Sequence, residues 1–324
     1  MVAALAGVSR STVSRVVNLS PKVTPEVVDA VNAAISTLGY VPNRAARILA
    51  SRKTESIALV IPENTAKFFA DPFFASVIQG VATYLSKTEY TLTLLIASET
   101  DPLKTRKYLT GGNVDGALVL SHHSDDHSYV ELGQTMPIVF GGRPMSEGGP
   151  SHVVDVDNVA AASTAVQHLI EHGKKSIATI AGPQDMAAGL DRLEGWRRTV
   201  TAAGLPAELF ETADFTPAGG ASAMRRILDT GKPFDGLFAA SAQMASGALG
   251  VLREHGIDVP GQVGVTTIDN DYYAKNANPP LTTVDQPSMA QGAMMAEVLV
   301  RIIAGEDVDV LTIMPTHLIE RASV

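Results

Sequence analysis

Two spacings of apolar residues divide the chain near residue 55. Before that point, apolar residues recur three and four positions apart, which is the spacing of amphipathic helices. After it, short apolar runs alternate with amphipathic stretches, which predicts strands alternating with helices. Repeated strand–helix units favour parallel sheets with helices on both faces. The pattern therefore predicts an all-α head joined to an α/β body.

The head is predicted to fold as three short helices. The first, Met1–Ala6, ends at Gly7, and the second runs over about Ser11–Asn18 with Ser9 placed to cap it. A glycine turn between two short helices is typical of a helix-turn-helix, whose second helix enters the major groove of DNA.

The third head helix has clear start and stop signals. Thr24 stands at its N-cap, Pro25 in its first turn and Gly39 just past its end. Its apolar stripe and the valines of the second helix are expected to form a small core. These apolar positions are Val13, Val16, Val17, Val27, Val28, Val31, Ala34, Ile35 and Leu38.

The body is predicted to contain two successive series of strand–helix units. In the first series the strands are Ile57–Ile61, Leu92–Ile96, Gly116–Leu120 and Ile138–Phe140, and the helices are Phe73–Lys87, Leu103–Thr110 and Asp126–Gln134. In the second series the strands are Val153–Val156, Ser176–Ile180, Leu209–Thr212, Gly236–Ala239 and Val263–Ile268, and the helices are Asn158–His172, Leu190–Ala203, Gly219–Thr230 and Gln243–His255. Two series predict two doubly wound parallel-sheet subdomains, with a ligand cleft beyond the carboxyl ends of their strands.

Length and composition narrow the class of protein. A chain of 324 residues is long enough for two or three domains. The absence of cysteine excludes disulfides and thiolate metal sites. The sequence has no apolar run of the roughly 20 residues that a membrane span needs, and its start lacks a signal-peptide pattern. We therefore expect a cytoplasmic protein without a membrane partner.

Charge separates the head from the body. Residues 1–55 carry seven Lys or Arg and three acidic side chains, whereas the rest carries 18 basic and 31 acidic ones. Affinity for a polyanion would therefore reside in the head. The polar face of the second helix offers groups that bind phosphates and base edges, although an ordinary solvated face carries the same residue types. These residues are Arg10, Ser11, Thr12, Ser14, Arg15 and Asn18.

The head contains two specific motifs, Val2-Ala3-x-x-Ala6-Gly7-Val8-Ser9-x-x-Thr12-Val13-Ser14-Arg15-Val16-Val17-Asn18 and Gly39-Tyr40-Val41-Pro42-Asn43-Arg44-Ala45-Ala46-Arg47-x-Leu49. In order and spacing they resemble the DNA-binding head of the LacI/GalR family of bacterial repressors. The resemblance implies that Arg10 and Ser11 read bases, and that the other polar residues of the helix bind mostly phosphates.

The same resemblance implies a hinge helix over residues 43–50 that orders on operator DNA. Asn43 would cap it, Arg44 counts among the DNA-binding residues, and Leu49 would wedge between base pairs in the minor groove. An ordinary linker leucine is the alternative for Leu49. Met1 stands where family members carry an aspartate, which leads to the expectation that the true start lies upstream.

The body resembles the effector domain of that family, which is similar to periplasmic sugar-binding proteins. The matching segments are Asp71-Pro72-Phe73-Phe74, Val114-Asp115-Gly116, Ala181-Gly182-Pro183, Arg192-x-x-Gly195-Trp196, Ile268-Asp269 and Pro280-Leu281-Thr282-Thr283-Val284-Asp285-Gln286-Pro287. The resemblance implies that the chain crosses between subdomains near residues 156, 286 and 315, and that a helix Ser288–Ala304 returns to the first subdomain.

Five residues carry over to the effector cleft by position, namely Phe73, Arg192, Phe215, Ser241 and Asp269. Flat aromatic faces with an arginine and an aspartate at the rim suit sugars and nucleobases. A structural salt bridge is the alternative for Arg192 and Asp269, and plain core packing is the alternative for the two phenylalanines.

Departures from the family pattern leave the effector class open. Ala242 stands where an aspartate is usual, and Gly141-Gly142 replaces a bulkier pair. Met186 and Ala188 are apolar where polar contacts are usual. A sugar-like or a nucleobase-like effector fits, and a ligand with fewer hydroxyls than a simple hexose is consistent with these changes.

Enzymatic and metal chemistry find little support in the sequence. Neighbouring loop residues rarely converge on one ion, and a histidine pair on a helix needs further ligands. The segments considered are His122-His123 with Asp125, Asp126 and His127, and the pair His168 and His172. No phosphate loop, dinucleotide fingerprint or nucleophile elbow is recognisable. We expect no catalytic residue, no metal and no cofactor.

The predicted organisation is a helix-turn-helix head over 1–42, a hinge helix and linker over 43–55, and an effector-binding and dimerisation domain over 56–324. Subdomain one comprises 56–156 plus 287–315, and subdomain two comprises 157–286 plus 316–324. We expect an effector-controlled repressor that binds a pseudo-palindromic double-stranded operator as a homodimer. A solute-binding protein without DNA function is the alternative.

Overall fold

The structure is a computed structural model that describes residues 1–17, 20–40, 53–96, 102–121, 123–124, 128–145 and 152–324. The chain divides into two compact units, Met1–Thr54 and Glu55–Val324. The predicted hinge segment falls mostly outside the described residues, so the domain boundaries given above stay predictions.

The first unit is helical. It contains α1 Val2–Leu5, α2 Arg10–Val17 and α3 Pro25–Leu38, which confirms the three predicted helices. The ends of α1 and α3 turn through glycines in the left-handed conformation, Gly7 and Gly39. Thr24 occupies the N-cap position of α3, but its side chain makes no capping hydrogen bond there. The buried core consists of Val2, Val16, Val31 and Ala34.

The second unit contains two six-stranded sheets with helices between their strands. The first group of elements is β1 Ser56–Ile61, α4 Thr65–Ala70, α5 Pro72–Leu85, β2 Thr91–Ile96, α6 Pro102–Tyr108, β3 Gly116–Leu120, α7 Ser128–Leu132, β4 Ile138–Gly141 and β5 His152–Val156. The second group is α8 Asn158–Glu171, β6 Ile177–Ala181, α9 Ala187–Ala202, β7 Phe210–Thr212, α10 Pro217–Asp229, β8 Gly236–Ala239, α11 Ala242–Glu254, β9 Gly264–Ile268, α12 Tyr272–Asn276 and β10 Thr282–Asp285. The last elements are α13 Ser288–Ile303, β11 Leu311–Met314 and β12 His317–Ile319.

Both sheets have the crossed strand order of a doubly wound fold. Sheet one runs β11-β5-β4-β3-β1-β2, with all its neighbouring strands parallel. Sheet two runs β12-β10-β9-β8-β6-β7 and is parallel except for β12, which pairs antiparallel with β10. Strands β1 and β3 are buried along their whole length, as expected where helices cover both faces. The predicted fold class is confirmed, with an antiparallel edge strand added.

The chain passes between the sheets after β5, after β10 and between β11 and β12. After the second passage, α13 packs against α5 and against β3, β4 and β5 of sheet one. The carboxyl ends of the central strands of both sheets are thereby held on either side of one cleft.

Several helices begin earlier than the periodicity predicted, because polar side chains cap them. Asp71 caps α5 by accepting a hydrogen bond from the Phe73 amide at 2.9 Å. Thr216 caps α10 and Ser241 caps α11 in the same way. The helix predicted over Asp126–Gln134 is described over Ser128–Leu132. The short elements α4, α12 and β10 to β12 carry no clear apolar run or helical period, and the sequence analysis does not predict them.

Candidate functional site

Helix α2 presents a polar and basic face to solvent. The Ser9 hydroxyl oxygen accepts a hydrogen bond from the Thr12 amide at 3.0 Å, which confirms the predicted cap. Val16 packs into the core of the head, and this packing fixes which face points outward. Four residues of the predicted DNA-reading set are exposed and the fifth, Thr12, is half-buried; the exposed ones are Arg10, Ser11, Ser14 and Arg15.

Four further residues of the predicted DNA-binding set, Asn18, Asn43, Arg44 and Leu49, lie outside the described residues. The contacts that each of the nine residues would make with DNA stay predictions.

A cavity lies between the two sheets of the second unit, beyond the carboxyl ends of their strands. All five residues expected in the effector cleft line this cavity: Phe73 from α5, Arg192 from α9, Phe215 from the segment before α10, Ser241 at the cap of α11, and Asp269 just after β9. The two phenylalanines are half-buried. The structure thus brings the five side chains to one site, and their role in binding a ligand stays a prediction.

Arg192 and Asp269 are bridged by a third residue. The Gln286 amide group donates to Asp269 Oδ1, and its oxygen accepts from Arg192 Nη2 at 3.3 Å. Burial lowers the pKa of Arg192, and the nearby Asp269 is the strongest opposing influence. Burial raises the pKa of Asp269, which the charge of Arg192 and the Gln286 amide oppose. Arg192 is buried and Asp269 is half-buried, and the Gln286 amide joins the two side chains at the wall of one cavity.

Asp71 contributes a carboxyl group from the other side of the cleft. Burial, followed by the charges of Asp269 and Asp271, raises its pKa to about 7, although amides of Phe73 and Gln243 donate to it. A carboxyl poised near neutrality changes its charge readily when a hydrogen-bonding ligand arrives.

Phe215 forms an aromatic wall of the cavity because a glycine lies beneath it. Its backbone adopts φ +64°, which is rare outside glycine. A methyl group at position 182 would overlap the Phe215 ring, so Gly182 is what leaves room for it. The Arg192 guanidinium lies 5.7 Å from the centre of the same ring, within the range of a cation–π interaction.

Charged side chains bridge the mouth of the cleft. His123 Nε2 lies 3.3 Å from Glu63 Oε1, and His123 Nδ1 lies 2.7 Å from Asp185 Oδ2. The hydrogen bonds to Glu63 and Asp185 raise the pKa of His123 to about 8 against the opposing effect of burial. Burial alone would raise the pKa of Glu63, but hydrogen bonds from His123, Lys67 and Ser121 outweigh burial and lower it to about 2.

A second ion pair joins the two sides of the mouth. Arg143 Nη2 lies 2.8 and 2.7 Å from the two carboxylate oxygens of Asp191. Arg143 follows β4 of sheet one and Asp191 belongs to α9, so the pair spans the cleft.

The histidine-rich segments have other partners. His123 is engaged by two carboxylates, and His122, Asp125, Asp126 and His127 lie outside the described residues. The rings of His168 and His172 are 4.2 Å apart, with His172 Nδ1 bonded to the His168 carbonyl. Within the described ranges, no group of three or more His, Asp or Glu side chains is arranged to hold a metal ion. Among these same residues, no helix has the length and apolar character of a membrane span.

Sequence reasoning missed most of the polar lining of the cavity. The additional residues are Glu63, Lys67, Asp71, Ser121, Arg143, Asp155, Asn158, Gln243, Gln286 and Gln291. Signals existed for two of them, because Asp71 precedes a proline at a helix start and Gln286 lies at an expected chain crossing. Met186 and Ala188 do line the cavity as apolar groups, but these polar residues supply ample partners for hydroxyls.

Comparison with known proteins places both parts of the chain. Residues 2–43 match the family described as bacterial regulatory proteins, lacI family, and residues 166–324 match the periplasmic binding protein-like domain. The HTH-type transcriptional regulator CelR of Thermobifida fusca is 46% identical over 331 aligned residues, covering 100% of this chain and 97% of that protein.

Solved structures agree over the whole length. A transcriptional regulator CelR–cellobiose complex superposes with a TM-score of 0.81 at 44% identity, covering 100% of this chain and 98% of the other. The lac repressor dimer bound to operator and the anti-inducer ONPF superposes with a TM-score of 0.86 at 25% identity, covering 99% and 97%. The match over the head argues against a solute-binding protein without DNA function. This chain therefore belongs to the lacI family of bacterial regulatory proteins and is a DNA-binding transcriptional regulator.

Proposed function

We propose that the protein is a cytoplasmic, homodimeric repressor that leaves its pseudo-palindromic operator when cellobiose, or a closely related short glucose oligosaccharide, enters the cleft. The observation that carries the proposal is the cavity itself, where Arg192, Asp269 and Asp71 face aromatic walls from Phe73 and Phe215. Sugars are held by aromatic stacking together with charged hydrogen-bonding groups. The full-length similarity to a regulator solved with cellobiose supports the choice of sugar.

The charge of the cavity favours an uncharged ligand. Four acidic side chains line it, those of Glu63, Asp71, Asp155 and Asp269. Of its three basic side chains, Lys67 is paired with Glu63, Arg143 is paired with Asp191, and Arg192 is buried. The Asp155 carboxylate already accepts from the Val156 and Arg143 amides at 2.8 and 3.0 Å. The carboxyl groups of Asp71 and Asp269 also accept amide hydrogen bonds, from Phe73 and Gln286, but a carboxylate has about four acceptor positions, so both can still accept from a sugar hydroxyl. A phosphorylated sugar or an organic acid would place a further negative charge beside them.

The head supports the DNA half of the proposal. Its exposed Arg10, Ser11, Ser14 and Arg15 lie on one short helix with a capped start, which suits entry into a major groove. A homodimer would place two such helices on the half-sites of a pseudo-palindrome. In this reading the body acts by binding, and the protein is not an enzyme.

The test is calorimetric titration of the full chain with cellobiose, glucose, cellobiose phosphate and adenine. We expect cellobiose to bind, Asp269→Asn to weaken it about tenfold or more, and the surface variant Asp229→Asn on α10 to bind as the wild type does. Binding of adenine in place of cellobiose would move the proposal to a nucleobase effector. Tight binding by Asp269→Asn would show that the sugar lies elsewhere.

A further inference from the structure

Two of the passages between the sheets meet at one side chain. The first passage runs from β5 into α8 and contains Asn158; the second runs from β10 into α13 and contains Gln286. Arg192, which lines the cavity, donates through Nε to Asn158 Oδ1 at 2.9 Å and through Nη2 to Gln286 Oε1 at 3.3 Å. Its Nη1 donates to the Ala240 carbonyl, just past β8, at 2.7 Å.

The contacts continue outward on both sides. Asn158 Nδ2 lies 3.3 Å from Asp155 Oδ1, at the end of β5 in sheet one. Gln286 donates to Asp269, at the end of β9 in sheet two. One connected network, Asp155–Asn158–Arg192–Gln286–Asp269, thus runs from one sheet to the other through both crossing segments.

The ligand and the crossings share the same hydrogen-bonding groups. A guanidinium has five N–H donors, and three of those of Arg192 are used by Asn158, Gln286 and Ala240. The Arg192 side chain is buried. When one of its partners moves away, the guanidinium therefore loses a hydrogen bond that bulk water does not replace. A ligand can use the two remaining N–H donors of Arg192, but a hydroxyl that binds Asp269 Oδ1 competes with the Gln286 amide for that oxygen.

We propose that Asn158 and Gln286 are positioning residues that couple occupancy of the cavity to the angle between the two sheets. This inference rests on the proposed function. The network holds the crossing segments in the arrangement of the ligand-free chain, and a sugar that takes over the Arg192 and Asp269 contacts releases Gln286 and, with it, the second crossing. Coupling of this kind is reciprocal, so weakening the network mimics the ligand.

The test uses the full chain and a DNA duplex that the wild-type chain selects from random sequence. Gln286→Met keeps the length of the side chain and removes both hydrogen bonds. We expect its ligand-free affinity for the duplex to fall about 5-fold or more, and cellobiose to change it little further. The matched control is Gln167→Met, an exposed glutamine on α8, whose duplex affinity should equal that of the wild type.

A second pair of variants separates coupling from binding. Gln243→Met alters another cavity-lining glutamine that lies outside both crossings. This variant should need more cellobiose than the wild type to release the duplex, but it should release the duplex fully at saturating cellobiose. Gln286→Glu keeps the acceptor for Arg192 and loses the donor to Asp269, and its ligand-free affinity for the duplex should also fall. It replaces Gln286→Met in the test if the melting temperature shows that Gln286→Met does not fold.

Ligand-free duplex affinity equal to wild type in folded Gln286→Met or Gln286→Glu would overturn the proposal. The ligand-free affinity measurement needs no sugar, so it tests the role of Gln286 even if cellobiose does not release the wild-type chain from the duplex. Failure of cellobiose to release the wild-type chain would count against the proposed effector instead.

Discussion

The Nδ1 atom of His123 lies 2.7 Å from Oδ2 of Asp185, and the two residues come from opposite sides of the cleft. His123 follows β3 of sheet one, and Asp185 follows β6 of sheet two. The same imidazole lies 3.3 Å from Glu63 on its other nitrogen. The mouth of the cleft is therefore held by a histidine between two carboxylates.

This arrangement predicts a pH-dependent contribution to stability. The pKa of His123 is raised from 6.5 to about 8, so the folded chain binds the proton more tightly than the unfolded chain. The stabilisation is complete below about pH 6.5 and is lost as the pH rises through 8. Each pKa unit is worth about 1.4 kcal/mol, which bounds the effect at about 2 kcal/mol. Urea unfolding at several pH values should show this difference between the wild type and His123→Gln.

The control for this prediction is the partner carboxylate. Asp185→Asn should remove part of the same pH dependence, and the double variant should lose less than the sum of the two single variants because they share one contact. Equal pH profiles for the wild type and His123→Gln would show that the imidazole carries no charge at the mouth.

Asp71→Asn is expected to stabilise the ligand-free chain at pH 8. The pKa of Asp71 is raised from 3.8 to about 7, so its contribution to stability is present at low pH and is lost as the pH rises through 7. An asparagine oxygen still accepts from the Phe73 amide and carries no charge beside Asp269 and Asp271. We expect a gain of about 1–2 kcal/mol at pH 8 and a smaller gain at pH 5. A gain that is constant with pH would place the cause outside the carboxyl group.

Gly182→Ala is expected to disturb the aromatic wall of the cavity. The added methyl group overlaps the Phe215 ring, and overpacking at a rigid contact costs about 1–3 kcal/mol. Gly250→Ala on α11 is the matched control, since open space surrounds it and alanine favours a helix by about 1 kcal/mol over glycine. Urea denaturation of both variants and the wild type measures the change in the free energy of unfolding that each substitution causes. A neutral Gly182→Ala would show that the Phe215 ring is free to move away.

Arg10→Ala and Arg15→Ala are expected to differ in their effect on DNA. Both residues are exposed on α2. If Arg10 reads a base, its loss costs about 1–3 kcal/mol on the selected duplex and little on random DNA. If Arg15 binds phosphate, its loss weakens both duplexes alike. Competition binding at fixed salt measures the two ratios, and equal losses on both duplexes for Arg10→Ala would assign that residue to phosphate.

The sequence predicts the fold well where a signal is local and repeated. The alternation of strands and helices from Ile57 onward predicts both sheets, and the signal is strongest where a buried strand such as β1 or β3 is a continuous apolar run. The order along the chain places strand Val153–Val156 in the second series, but it pairs with β4 in sheet one. The antiparallel pairing of His317–Ile319 has no such signal, because three residues have no readable period. The caps at Asp71 and Thr216 were readable, and using them would have moved two helix starts to their observed positions.

The residues of the cavity could be located from the sequence only by resemblance, and their contacts could not be predicted. Phe73, Arg192, Phe215, Ser241 and Asp269 were located by resemblance, and the structure brings them together. Gln286 and Asp269, which form the bridge, are 17 positions apart in the sequence, and His123 and Asp185, which pair at the mouth of the cleft, are 62 positions apart. No local pattern in the sequence indicates contacts of this kind.

Release of DNA by sugar tests the central claim most directly. The measurement is fluorescence anisotropy of a labelled selected duplex bound to the full chain, titrated with cellobiose. We predict that cellobiose releases the wild-type chain from the duplex. The Asp269→Asn chain should need a cellobiose concentration about tenfold higher, or more, for release of half of the bound duplex. A wild-type complex that stays intact at millimolar cellobiose, or an Asp269→Asn complex that releases at the wild-type concentration, would contradict the account.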